Sequence, residues 1–173
     1  MFYSLALRDA LFYLLLTLLW FWLARLSADS GLMADFIGVA LGGLTALAFY
    51  LFHEWGHVLG GLLSRSRMTA ANSLKAITLF VYQTSGNTRG QFLLMSFMGF
   101  AATALLVWFS YTQLPDQYLA SRIARGFTLV QVFLAVVIEL PLVVWALLGK
   151  SLPPIDQQAS FKSIKRILFA SSN

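Results

Sequence analysis

The chain has 173 residues, 59% of them hydrophobic and 11% charged, with a formal net charge of +5 and a mean hydropathy of +0.76. That apolar content exceeds the roughly 45–50% usual for soluble domains, so a bilayer is the expected solvent, and the length fits one membrane domain. The twelve basic residues are scattered at the ends of apolar segments and never form a stripe with interleaved aromatics, which excludes a nucleic-acid surface. The absence of cysteine excludes disulfides and thiolate sites, so any metal must be held by nitrogen and oxygen.

Four apolar segments reach or approach the ~20 residues that a spanning helix needs. They cover approximately residues 10–26, 35–63, 91–111 and 123–148, which predicts an all-α polytopic membrane protein with about four transmembrane helices. In the first, Arg8 precedes a leucine-rich stretch as in a signal peptide, but Leu26-Ser27-Ala28 is a poor cleavage site and a retained helix is expected. The second is longer than a bilayer requires and should tilt or protrude. Its pairs Gly38/Gly42 and Gly56/Gly60 have the small-xxx-small spacing that lets neighbouring helices approach closely.

Between the second and third segments, the apolar run Leu74 to Tyr82 followed by Thr84-Ser85-Gly86-Asn87 predicts a short strand or hairpin at the membrane surface. Asn72, Gln83 and Asn87 read as turn chemistry, with contacts to a substrate strand as the alternative. Beyond the fourth segment, Pro153-Pro154 stops the helix, and Phe161, Ile164, Lys165, Ile167 and Leu168 suggest a basic amphipathic tail over 151–173 on the inner leaflet. With the N-terminus inside, nine basic residues (Arg8, Arg65, Arg67, Lys75, Arg89, Lys150, Lys162, Lys165, Arg166) are cytoplasmic against three outside (Arg25, Arg122, Arg125). The positive-inside rule therefore predicts both termini in the cytoplasm, as in a bacterial-type inner membrane. Trp20, Trp22, Trp108 and Trp145 suit interfacial belts, and Trp55 lies deeper.

The only two histidines, His53 and His57, stand four apart with Glu54 between them inside the second segment. Residues i and i+4 share a helix face, so both imidazoles can meet one ion, and His-Glu-Trp-Gly-His is the HExxH pattern of zinc hydrolases. A water nucleophile at neutral pH needs a Lewis acid that lowers its pKa to about 7 and a carboxylate that takes its proton. His53 and His57 are the expected ligands, and Glu54 the general base. A catalytic zinc usually takes a third protein ligand. The other glutamate, Glu139, lies in the fourth segment at a matching depth, all three ~9–16 Å below the cytoplasmic surface at 1.5 Å per residue. Pro141, two residues later, removes a backbone hydrogen bond and loosens the helix there. The five aspartates fall at segment ends or in loops, and among them Asp156 is the alternative third ligand if the tail folds back. Gln131 and Thr128 read either as cleft-lining residues or as interhelical contacts.

The stretch His53-Glu54-Trp55-Gly56-His57-Val58-Leu59-Gly60-Gly61 resembles the HExxH helix of the site-2 protease family of intramembrane zinc metalloproteases. The likeness extends in layout over roughly Asp35 to Leu148: a zinc-motif helix, a surface β segment, a small-residue helix with Ser96-Phe97-Met98-Gly99-Phe100-Ala101-Ala102, and a helix with a third acidic group. The family's third ligand is usually aspartate in a Leu-Asp-Gly context, which is missing here; Leu152-Pro153-Pro154-Ile155-Asp156 echoes its wording only. The resemblance implies a protease that cleaves a membrane-spanning or membrane-adjacent protein near the cytoplasmic face. A non-proteolytic membrane subunit or scaffold that keeps a zinc-site fold is the rival expectation. A metal transporter would need a chain of polar ligands along a path, and the sequence supplies none.

Overall fold

A computed structural model describes residues 1–151. The predicted amphipathic tail and Asp156 lie outside the described residues. Helix α1 spans Phe2–Leu23 and passes through a 3-10 turn, Ala24–Ala28, into α2, Leu32–Leu63. Two short strands follow, β1 at Met68–Ala70 and β2 at Phe80–Tyr82, then α3 at Arg89–Thr112 and α4 at Leu119–Leu134. A π-helical turn, Ala135–Glu139, joins α4 to α5, Leu140–Leu147. Four of these helical stretches, Phe2–Ala28, Leu32–Leu63, Arg89–Thr112 and Leu119–Leu147, are long and apolar enough to cross a membrane. The fold is that of an all-α, multi-pass membrane protein with one two-stranded β element. Its outward apolar side chains, among them Leu14, Phe97, Phe127 and Phe133, suit lipid as solvent.

Helix α2 is the central element, and glycine explains how. A side chain at Gly38 would run into Leu119, and one at Gly42 into Ile123 and the Ala120 carbonyl, so the first half of α2 lies directly against α4. A Cβ at Gly56 would fall 2.8 Å from the Met98 carbonyl oxygen, and one at Gly60 2.7 Å from Met95 Cα. The second half of α2 therefore lies backbone to backbone against α3, as small-xxx-small spacing allows. Helix α1 leans on the remaining face, where the Tyr13 hydroxyl donates to the Ala48 carbonyl at 2.9 Å and Trp20 Nε1 to Thr45 Oγ1 at 2.7 Å. Trp20 thus also serves as an interhelical donor.

The elements correct the sequence reading in three places. Helix α1 begins at Phe2 rather than near Ala10, so Asp9 lies inside a spanning helix and is almost fully buried, not at a segment end. Its charge is matched there by Arg8, whose Nε donates to Asp9 Oδ1 at 2.6 Å. The surface strand occupies only the last third of the run Leu74 to Tyr82, because Arg8 Nη1 draws the Leu74 and Ala76 carbonyls into a turn at 2.6 and 2.7 Å. Its partner β1, too short and weakly β-prone to announce itself, pairs antiparallel in the register Met68↔Tyr82, Thr69↔Val81, Ala70↔Phe80. Asn87 ties the base of the hairpin, its side chain accepting from Arg67 N and donating to the Arg67 and Gln83 carbonyls. The fourth segment begins at Leu119 and is interrupted by the π turn, which the sequence marks only through Pro141.

Candidate metal centre

His53 and His57 lie one turn apart on the face of α2 that meets α3, and α3 holds both rings from behind. His53 Nδ1 is 2.8 Å from Thr103 Oγ1 and 3.2 Å from the Gly99 carbonyl oxygen, while His57 Nδ1 is 3.1 Å from the Met95 carbonyl oxygen. The two carbonyls, like the two histidines, stand four residues apart, so one turn of α3 serves one turn of α2. Gly99 makes this approach feasible, since a side chain there would occupy the volume of the His57 imidazole. Both histidines are buried.

A carbonyl oxygen can only accept, so each Nδ1 bonded to one must carry hydrogen, and each neutral ring then presents a lone pair at Nε2. The two Nε2 atoms face one another 3.1 Å apart, with the rings at 85°. Glu139 completes the triangle. Its Oε1 lies 3.1 Å from His53 Nε2 and its Oε2 3.4 Å from His57 Nε2. Oε2 is buried without a hydrogen-bond partner among the described residues.

Glu139 reaches this point from the π turn. The N–H of Leu140 bonds to the Ala135 carbonyl, five residues back, and Pro141 follows with no N–H to give. The wider turn carries an extra residue and aims the carboxylate at the histidines, a local irregularity of the sort often found at functional sites.

Three acceptor atoms converge with no donor among them. A proton can lie along only one edge of such a triangle at a time, whereas a cation at its centre meets all three lone pairs. The spacing is close to that of a bound ion: ligand bonds of about 2.0–2.2 Å at tetrahedral angles put neighbouring ligand atoms about 3.3–3.6 Å apart, against 3.1, 3.1 and 3.4 Å here. The donor set of two imidazole nitrogens and a carboxylate therefore fits a metal ion, and the Nδ1 contacts fix ring orientation as outer-shell groups do in metal sites. The sequence-predicted ligands His53, His57 and Glu139 are brought together.

Glu54 stands outside the triangle. Its Oε2 accepts from the N–H of Leu79 at 3.3 Å, and Tyr50, one turn earlier on α2, adjoins it. Leu79 directly precedes β2, so the hairpin closes over the site, with the Phe80 ring centroid 6.3 Å from that of His57. Glu139 has the most open side chain of the three, 28% exposed against 5% and 10% for His53 and His57. Thr128, in contrast, bonds within its own helix to the Ala124 carbonyl. Gln131 Nε2 is buried with no partner among the described residues, so neither supplies a hydrogen bond between helices there.

Two contributors were not legible beforehand. Thr103, the hydroxyl against His53, is an isolated polar residue in an apolar segment, and nothing in its neighbourhood singles it out. Asp9 lies two turns inside α1, ahead of the apolar stretch from which the span is read, and so resembles a segment end. No protein-family model, curated protein or solved structure matches the chain. The chemistry of the site thus rests on its own geometry.

Proposed function

We propose that the protein is an intramembrane zinc metalloprotease that hydrolyses a peptide bond of a membrane-spanning or membrane-adjacent protein near the cytoplasmic face, in the manner of the site-2 protease family that its HExxH helix resembles. The observation that carries this reading is the convergence of His53 Nε2, His57 Nε2 and a Glu139 oxygen beside a carboxylate, Glu54, that is not one of the three. Two neutral imidazoles and one carboxylate make a borderline-soft set that suits zinc. Bound there, zinc would supply Lewis acidity, bringing water toward a pKa of about 7 and polarising a carbonyl. Glu54 would take the proton of the attacking water and hand it to the leaving amine.

The hairpin offers a way to hold a substrate. The bonds from Ala71 N to the Leu79 carbonyl and from Gln83 N to the Arg67 carbonyl extend the ladder on either side of Thr69↔Val81. In this register the N–H and C=O groups of Phe80 and Tyr82 are directed away from β1. An extended peptide can add along that edge, and extension matters because a helical peptide bond hides its carbonyl from attack. The distribution of basic residues supports both termini in the cytoplasm and hence a site near the inner face of a bacterial-type membrane.

The rival, a non-proteolytic subunit stabilised by metal, draws on the contact between Glu54 and the Leu79 N–H, which gives Glu54 a structural task. Glu54→Gln separates the two. For a protease the variant keeps metal and fold, loses most turnover, and retains intact partners that are shortened beside the wild type. Partners of one size with either protein, and an unchanged cellular phenotype, would overturn the protease reading.

A further inference from the structure

Arg8 and Asp9 are the only charged residues of α1, and Asp9 is 2% exposed. Asp9 uses both oxygens, Oδ1 for Arg8 Nε at 2.6 Å and Oδ2 for Trp55 Nε1 at 2.8 Å. Arg8 Nη1 reaches across to the Leu74 and Ala76 carbonyls. Trp55 is the neighbour of Glu54 in the motif, and the segment that Arg8 holds runs directly into Leu79, the donor to Glu54. Two arms thus leave one ion pair, one along α2 and one through the loop, and both end at Glu54.

Packing alone gives no reason for charges here. The surrounding cluster is apolar, with Leu51, Val58 and Leu79 at its centre and Phe2, Phe12, Tyr13 and Phe80 around it. Asp9 is buried and the Arg8 side chain 25% exposed, and an ion pair largely withdrawn from water is generally no more stabilising than well-packed hydrophobic residues of similar volume. What apolar side chains cannot do is fix backbone carbonyls and an indole N–H in one arrangement, and those are the groups that Arg8 and Asp9 engage.

We infer that Arg8 and Asp9 are positioning residues for Glu54: by clamping the turn at Leu74 and Ala76 and the indole of Trp55, they hold the Leu79 N–H on the Glu54 carboxylate and β2 beside the metal centre. The consequence for proton transfer rests on Glu54 being the general base; the positioning itself does not.

The test reads the Leu79 amide directly in the full-length protein in detergent or nanodiscs. Labelling with carbonyl-13C threonine and 15N leucine selects Thr-Leu pairs, of which the chain has three, giving the amides of Leu18, Leu79 and Leu129. Glu54→Gln identifies the Leu79 signal that depends on the carboxylate. The expected result is that Arg8→Gln and Asp9→Asn each move that signal in the same direction as Glu54→Gln and leave Leu129 in α4 in place, while Arg8→Lys keeps it nearer its wild-type position. A Leu79 signal unmoved by both Arg8→Gln and Asp9→Asn would overturn the inference. So would a shift of Leu129 alongside it, which would make the pair a general support of the fold. None of these readouts uses proteolysis or metal content, so failure of the protease reading and failure of this one are distinguishable.

Discussion

The imidazole of His57 rests on Gly99, in space that any side chain at that position would fill. Gly99→Ala must therefore push the ring away from His53 and Glu139 or spread α2 from α3. Overpacking of this sort costs about 1–3 kcal/mol. The expected outcome is a lowered Tm together with substoichiometric metal by elemental analysis, against about one zinc per chain in the wild type.

The ligand set makes a sharper prediction. Glu139→Ala is expected to abolish metal retention after chelator-free purification, as is His57→Ala, whereas Asp156→Ala retains it. Thr103→Val removes the nearer hydrogen-bond partner of His53 Nδ1 but leaves the Gly99 carbonyl. It is expected to weaken metal affinity about 10- to 100-fold, the usual effect of losing an outer-shell partner, and competition with a calibrated chelator measures this.

Adjacent glycines on α2 should behave oppositely. A Cβ at Gly42 meets Ile123 and the backbone of Ala120, while one at Gly43 meets nothing within 4 Å. Thermal unfolding is expected to show Gly42→Ala destabilised and Gly43→Ala unchanged or stabilised by up to about 1 kcal/mol, the helical advantage of alanine over glycine.

Single cysteines can be placed in a chain that has none. With a membrane-impermeant thiol reagent on intact cells, cysteine at Ser30 or Gln113 is expected to label and cysteine at Ser66 or Ser160 to be protected. Labelling at Ser66 from outside would place the metal centre near the opposite face.

What the sequence disclosed and what it withheld divide along physical lines. The spanning helices were legible because each buries or exposes its apolar length as a unit, and His53 with His57 because helical spacing alone joins residues four apart. Glu139 was reachable by depth, since two antiparallel or parallel helices in one bilayer share a coordinate. Pro141 hinted at irregular backbone but not at its form, because a missing N–H is compatible with a kink, a π turn or a break. The hairpin register and the place of Asp9 were not legible. The hairpin is tied by Asn87 to Arg67, 20 residues away, and Arg8 beside Asp9 reaches carbonyls more than sixty residues away, partners that no local pattern names.

The π turn also ties packing and chemistry to a single inserted residue. Removing one residue from Val136–Ile138 would let α4 run into α5 as a regular helix with a full set of i to i−4 bonds up to Pro141, a more comfortable backbone. It would also rotate Glu139 by about 100° relative to α4, away from the two imidazoles. The same rotation would carry Leu142, Val143 and Ala146 of α5 off the cluster they share with Tyr82, Phe92 and Met95, so the regular backbone would come at the expense of packing as well as of the third candidate ligand. The extra residue thus sets the register in which one short helix both seals the core and presents its carboxylate, and a deletion there is expected to lose both at once.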